Sequence, residues 1–119
     1  MEHEEYFARV GRRVAQLLAG CAGRPSDVVA RYGGEEFAIL LPHANRAETA
    51  TVAQRCLTAI DQARIPLDDS QRSKHVTISV GAAWLGGGES LRQDLLVRAA
   101  DEALYRAKAA GRHCLVFAD

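Results

Sequence analysis

The chain has 119 residues, 48% hydrophobic and 25% charged, which is the usage of one ordinary globular domain with a single core. Fifteen lysines and arginines balance fifteen aspartates and glutamates, which excludes a bulk basic surface for nucleic acid and leaves room only for a local anion site. The three cysteines, Cys21, Cys56 and Cys114, lack paired spacing and read as thiols of a reducing cytosol; with no apolar run of membrane-span length and no visible signal peptide, a cytoplasmic location without membrane contact from this segment is expected.

In chain order, Phe7, Val10, Val14, Leu17 and Leu18 fall on one face of a helix predicted over residues 4–19, with Gly20 and Gly23 ending it. Asp27 to Tyr32 and Glu35 to Leu41 form a hairpin, its second strand a buried apolar run closed by Pro42. Asn45 caps a second helix that offers Ala47, Ala50, Val52, Ala53, Cys56, Leu57 and Ile60 to its buried side and stops before Pro66. Residues 67–74 are polar and read as a loop. Val76 to Trp84 is a strand rich in β-branched residues. Gly86 to Gly88 is a turn, Ser90 caps a short turn, and Gln93 to Ala110 is the last helix, with Gly111 at its C-cap. Cys114 to Phe117 is a final strand. Helices interleaved with strands in this order imply an α+β sandwich, helices packed on an antiparallel sheet.

The most informative run is Arg31-Tyr32-Gly33-Gly34-Glu35-Glu36-Phe37. Glycines at a tight turn let backbone N–H groups approach a bulky anion. Two carboxylates at the tip of a buried strand are either solvated or paired with a cation, and magnesium carrying a nucleoside triphosphate suits them. Successive strand side chains point to opposite faces, so Glu35 and Glu36 converge on one metal only if the turn distorts the strand. Lys108 and Arg112, four apart, either complement the C-terminal dipole of the last helix or hold an anion. Arg24 and Asp27 are either a solvated surface pair or a guanidinium and carboxylate that read a guanine nucleotide.

Four segments in register resemble the GGDEF family of diguanylate cyclases in its GGEEF form. They are Arg31 to Phe37, the RxxD-like Arg24-Pro25-Ser26-Asp27, the strand Val76-Thr77-Ile78-Ser79-Val80-Gly81, and Ala100 to Arg112. The resemblance covers residues 11–117 and implies a nucleotidyl-cyclase type of ferredoxin-like sheet. It departs from the family at the start. The metal-binding central strand that precedes this point in the family is not found, so a partial domain over residues 1–119 is expected, prone to swap segments or associate. Ala8 stands where the family's guanine-reading aspartate should fall.

By resemblance, the reaction is condensation of two GTP molecules into cyclic di-GMP and pyrophosphate by a homodimer with one GTP on each domain. Glu35 and Glu36 would be the catalytic and metal-binding carboxylates for Mg2+ or Mn2+, with Glu35 the candidate for assisting deprotonation. Gly33 and Gly34 would give the nucleotide room, and Lys108 and Arg112 would hold its terminal phosphates. Arg24, Asp27 and Arg55 match a site where cyclic di-GMP acts as an inhibitor. His113 replaces the family's usual asparagine and reads as structural. The alternative is a catalytically inactive module that binds cyclic di-GMP or dimerises.

Overall fold

The computed structural model of the chain describes residues 2–33, 36–66, 74–85 and 93–118. Seven elements follow in order: α1 (Glu2–Cys21), β1 (Val28–Gly33), β2 (Glu36–Leu40), α2 (Arg46–Ala63), β3 (Val80–Ala82), α3 (Gln93–Ala109) and β4 (Leu115–Phe117). The expectations placed on Gly34, Glu35, the loop over 67–73, the glycines at 86–88 and Ser90 fall outside the described residues. The strands make two two-stranded sheets, β1–β2 and β3–β4. The chain divides into two units, residues 1–42 with 58–76 and residues 43–57 with 77–119.

In the first unit, α1 packs on β1 and buries Val14 and Leu18, the centre of its predicted apolar face. The helix does not stop at Gly20. It runs on to Cys21, and the Ala22 N–H still donates to Leu18 O at 3.2 Å. The reason is packing: Cys21 and Ala22 are both buried, and a buried turn outweighs the helix-weakening glycine. The hairpin is antiparallel, pairing Val28 with Leu40, Val29 with Ile39, Ala30 with Ala38, Arg31 with Phe37 and Gly33 with Glu36. Beyond it, the end of α2 leads through left-handed Arg64 (φ 53°) to Pro66, which bridges His75 antiparallel. Val76 N–H donates to Ile65 O at 2.7 Å, and the His75 ring meets Asp61 Oδ1 at 2.8 Å, so residues 75–76 are tied to the helix end.

The second unit begins with the predicted cap of α2, and the cap is reciprocal. Asn45 Oδ1 accepts the Glu48 N–H at 2.7 Å while Glu48 Oε1 accepts the Asn45 N–H at 2.9 Å. Along α2, Ala53, Cys56 and Ile60 are buried as the periodicity predicts, whereas Ala47, in the first turn, is exposed. Arg46 lays its guanidinium over the Phe117 ring, 4.3 Å from the centroid, and the Trp84 indole N–H donates to Ala44 O at 2.9 Å.

β3 and β4 are parallel, Val80 with Leu115, Gly81 with Val116 and Ala82 with Phe117, which corrects the all-antiparallel expectation. Parallel strands need a crossover, and α3 supplies it by packing on both. The predicted strand over 76–84 shortens to three residues. Residues 76–79 are half-buried, so the β-branched Val76, Thr77 and Ile78 report burial rather than a ladder. Contact between β3 and α3 is set by small residues. Ala103 and Ala107 are fully buried on the helix, and a Cβ on Gly81 would run into Leu104 N and Ala100 O of the α3 backbone.

Candidate active site

Gly33 and Glu36 form the last pair of the hairpin ladder. Between the pairs Arg31–Phe37 and Gly33–Glu36 the register shifts, so β1 carries one more residue than β2 over that step. The shift lies in β1; the distortion on which convergence of Glu35 and Glu36 depends concerns residues outside those described. A bulge bends its strand and sharpens the local twist, which re-aims neighbouring side chains. Glu36 opens β2 directly across from Gly33, and its side chain is exposed. Gly34 and Glu35 lie outside the described residues.

Glu36 supplies carboxylate oxygens, the donors that a hard cation such as Mg2+ takes. Such an ion needs only one or two carboxylates when phosphates and water complete its shell. Among the described residues no group of three or more His, Cys, Asp or Glu forms a metal cluster of its own.

At the end of α3 the backbone stops the helix with two bonds. Gly111 N–H donates to Lys108 O at 3.2 Å and Arg112 N–H donates to Ala107 O at 3.0 Å, the paired pattern that closes a helix on a left-handed residue. Gly111 takes that position with φ 114°. The expected C-cap is in place. Arg112 lies beyond the helix, as the predicted helix end and C-cap require: α3 ends at Ala109 and the cap turns the chain away. Lys108 is half-buried in the last turn, and Arg112 is exposed beyond it. Arg112 and His113 are themselves left-handed, with φ 64° and 48°. Each such non-glycine residue costs about 1–3 kcal/mol and persists only where its surroundings hold it.

Arg24 and Asp27 are joined through the backbone. Asp27 Oδ2 accepts the Arg24 N–H at 3.1 Å and the Asp27 N–H donates to Arg24 O at 3.0 Å, a tight turn between α1 and β1. The second oxygen, Oδ1, is buried with no hydrogen-bond partner. Arg24 presents its side chain to solvent. Arg55 is exposed on α2 in the second unit, whereas Arg24 and Asp27 belong to the first. Sequence reasoning placed the pair at a turn but did not name the Asp27 carboxylate as the group that closes it. The signal was available, since an aspartate three residues on is well placed to accept a backbone N–H.

Interleaved helices and short strands, with a hairpin whose register shifts beside Gly33, define a nucleotidyl-cyclase-like α+β domain. The family model for the diguanylate cyclase GGDEF domain matches residues 9–114, and the chain belongs to the GGDEF family. It is 34% identical over 118 residues to the uncharacterized protein YhcK of Bacillus subtilis, covering 99% of this chain and 31% of that protein. It is 37% identical over 90 residues to diguanylate cyclase DosC of Escherichia coli, covering 76% of this chain and 19% of that one. The chain therefore spans a third or less of these curated relatives. Among solved structures, the GGDEF domain of DgcB from Caulobacter crescentus in complex with c-di-GMP aligns with TM-score 0.71 and 28% identity, over 92% of this chain and 65% of that one. No helix among the described residues is long and apolar enough to cross a membrane.

Proposed function

We propose that this chain carries the nucleotide-condensing machinery of a diguanylate cyclase, joining two GTP molecules into cyclic di-GMP with release of two pyrophosphates. The observation that carries the reading is the bulged hairpin that sets exposed Glu36 across from Gly33. Family membership supplies the substrate class.

Phosphoryl transfer of this kind needs positioning and charge neutralisation more than covalent help from the protein. Gly33 and Gly34 leave the backbone bare, so the nucleotide can lie close to it. Glu35 and Glu36 would hold Mg2+ or Mn2+, and the ion would neutralise developing phosphate charge and acidify the attacking hydroxyl. Glu35 assists removal of the 3′-hydroxyl proton. Lys108 and Arg112 hold the terminal phosphates. Each 3′-oxygen attacks the α-phosphorus of the other GTP; a P–O bond forms, the bond to pyrophosphate breaks, and the hydroxyl proton leaves with the base. Because each domain presents one GTP, the working unit is a homodimer in the cytoplasm, with no nucleic-acid partner.

The experiment is turnover of GTP with magnesium by the purified chain, with cyclic di-GMP read by mass. Product that disappears in Glu35→Ala and Glu36→Ala supports the reading. Folded protein that makes no product sinks catalysis by this chain.

A second reading has its own observation, the unpartnered buried Oδ1 of Asp27. A buried acceptor without a donor calls for a ligand N–H. Cyclic di-GMP offers guanine N–H groups to Asp27 and phosphates to the Arg24 guanidinium. That site serves product inhibition in an active enzyme and remains usable in a catalytically inactive module, which the presence of Ala8 favours. Titration of the chain with cyclic di-GMP, against Arg24→Ala and Asp27→Ala, tests it. Binding unaffected by both substitutions removes this site.

A further inference from the structure

We infer that His113 is a positioning residue for the phosphate-binding end of α3, acting by holding a left-handed backbone that aims Arg112. The inference rests on the proposed phosphate role of Arg112.

The observation is a run of three left-handed residues, Gly111, Arg112 and His113, at φ 114°, 64° and 48°. The helix cap accounts only for Gly111, since a left-handed cap needs one such residue. Two further non-glycine residues in the same region are uncommon, and single left-handed residues rather than runs are the rule. Something must hold them, and the hydrogen bonds identify it. The Ala107 carbonyl accepts the Arg112 N–H at 3.0 Å and the Cys114 thiol at 3.4 Å, so one fully buried carbonyl pins the run on both sides of His113. Immediately afterwards Cys114 O accepts the Val80 N–H at 2.9 Å, which anchors the exit to β3. The reversal is therefore clamped at each end, and Arg112 and His113 lie between the clamps.

Such a clamp fixes where the Arg112 side chain departs from the backbone, in relation to Lys108 one turn earlier. His113 is exposed. Histidine, like asparagine, enters the left-handed region more readily than most residues, while a β-branched residue there is an outlier. A residue that resists φ near 50° shifts the reversal and with it the departure point of Arg112.

The test is GTP binding with magnesium by the full chain, carrying His113→Asn, His113→Ala or His113→Val, each with and without Arg112→Ala. Thermal melts show that every measurement is made on folded protein, and the alanine variant serves if the valine variant does not fold. We expect the asparagine variant to bind as the parent does and the valine variant to bind about tenfold more weakly, the scale of forcing an ill-suited residue into the left-handed region. With Arg112→Ala present, the changes at residue 113 should no longer matter, which a merely destabilising role would not produce. If Arg112→Ala weakens binding while asparagine, alanine and valine at 113 bind alike, the inference is overturned and the GTP reading stands. If Arg112→Ala binds as the parent does, or the parent binds no GTP, the phosphate role of Arg112 fails and the inference fails with it.

Discussion

Asp27 closes a turn on Arg24 with one carboxylate oxygen, at 3.1 Å from the Arg24 N–H, and leaves the other oxygen buried without a partner. The two halves of the carboxylate thus have separable tasks. Asp27→Ala should lower stability by about 1 kcal/mol, the worth of an ordinary hydrogen bond, and Asp27→Asn much less, because the amide oxygen can still accept the Arg24 N–H. Both should lose cyclic di-GMP binding, since neither offers a free acceptor at Oδ1 with carboxylate charge. Calorimetric titration and thermal melts of the two variants separate these effects. An asparagine variant that binds like the parent would assign Oδ1 no part in ligand recognition.

The reciprocal cap at the start of α2 makes a second expectation. Asn45→Ala should cost about 1 kcal/mol, and Glu48→Ala somewhat less. The double variant should cost less than the sum, because each residue satisfies the other's backbone N–H. Fraying here also loosens Arg46 from the Phe117 ring, so hydrogen exchange should rise in β4 as well as in the first turn of α2. Exchange confined to the helix would remove the Arg46–Phe117 contact from the account.

Where sequence signals are local, they were legible. Asn45, Gly111 and the hairpin were read directly, because a cap or a turn is decided by a few neighbouring residues. The register shift in β1 was not read, since alternation along Glu35-Glu36 sets only a condition for their convergence. The parallel pairing of β3 with β4 was missed. Val76 to Trp84 announces burial, but strand partners separated by a whole helix leave no mark in either strand. Gly111, read as the cap, also sets Arg112 beyond the helix, as the predicted end at Ala110 requires.

Two glycines should respond to alanine in opposite directions. Gly81 lies against the α3 backbone, where a Cβ would meet Leu104 N, Leu104 Cα and Ala100 O. Backbone cannot rotate away as a side chain can, so Gly81→Ala should cost at least about 1–3 kcal/mol, the range for overpacking. Gly20 lies inside α1 with nothing within 4 Å of a Cβ. Gly20→Ala should therefore stabilise by about 0.5–1 kcal/mol, the helix preference of alanine over glycine. Denaturant melts of the two variants decide it. Loss of stability in Gly20→Ala would mean that the helix continues through Gly20 for a reason other than the packing of Cys21 and Ala22.

Two-stranded sheets are marginal alone, and here each strand has one edge that no other strand covers among the described residues. At the open end of the hairpin, Val28 and Leu40 face each other across the ladder, and both are exposed, at 49% and 41%. A short sheet with an apolar cross-strand pair at its rim invites another strand. The purified chain should associate as its concentration rises, without nucleotide, and its melting temperature should rise with it. A lysine at either position places a charge beside the edge, a common defence against strand addition. Val28→Lys or Leu40→Lys should accordingly shift the chain toward monomer in light scattering while far-UV circular dichroism stays unchanged. Association that ignores both lysines would move the contact to β3 and β4. A parent that is monomeric at every concentration and melts in one sharp transition would show that these two sheets need no further strand.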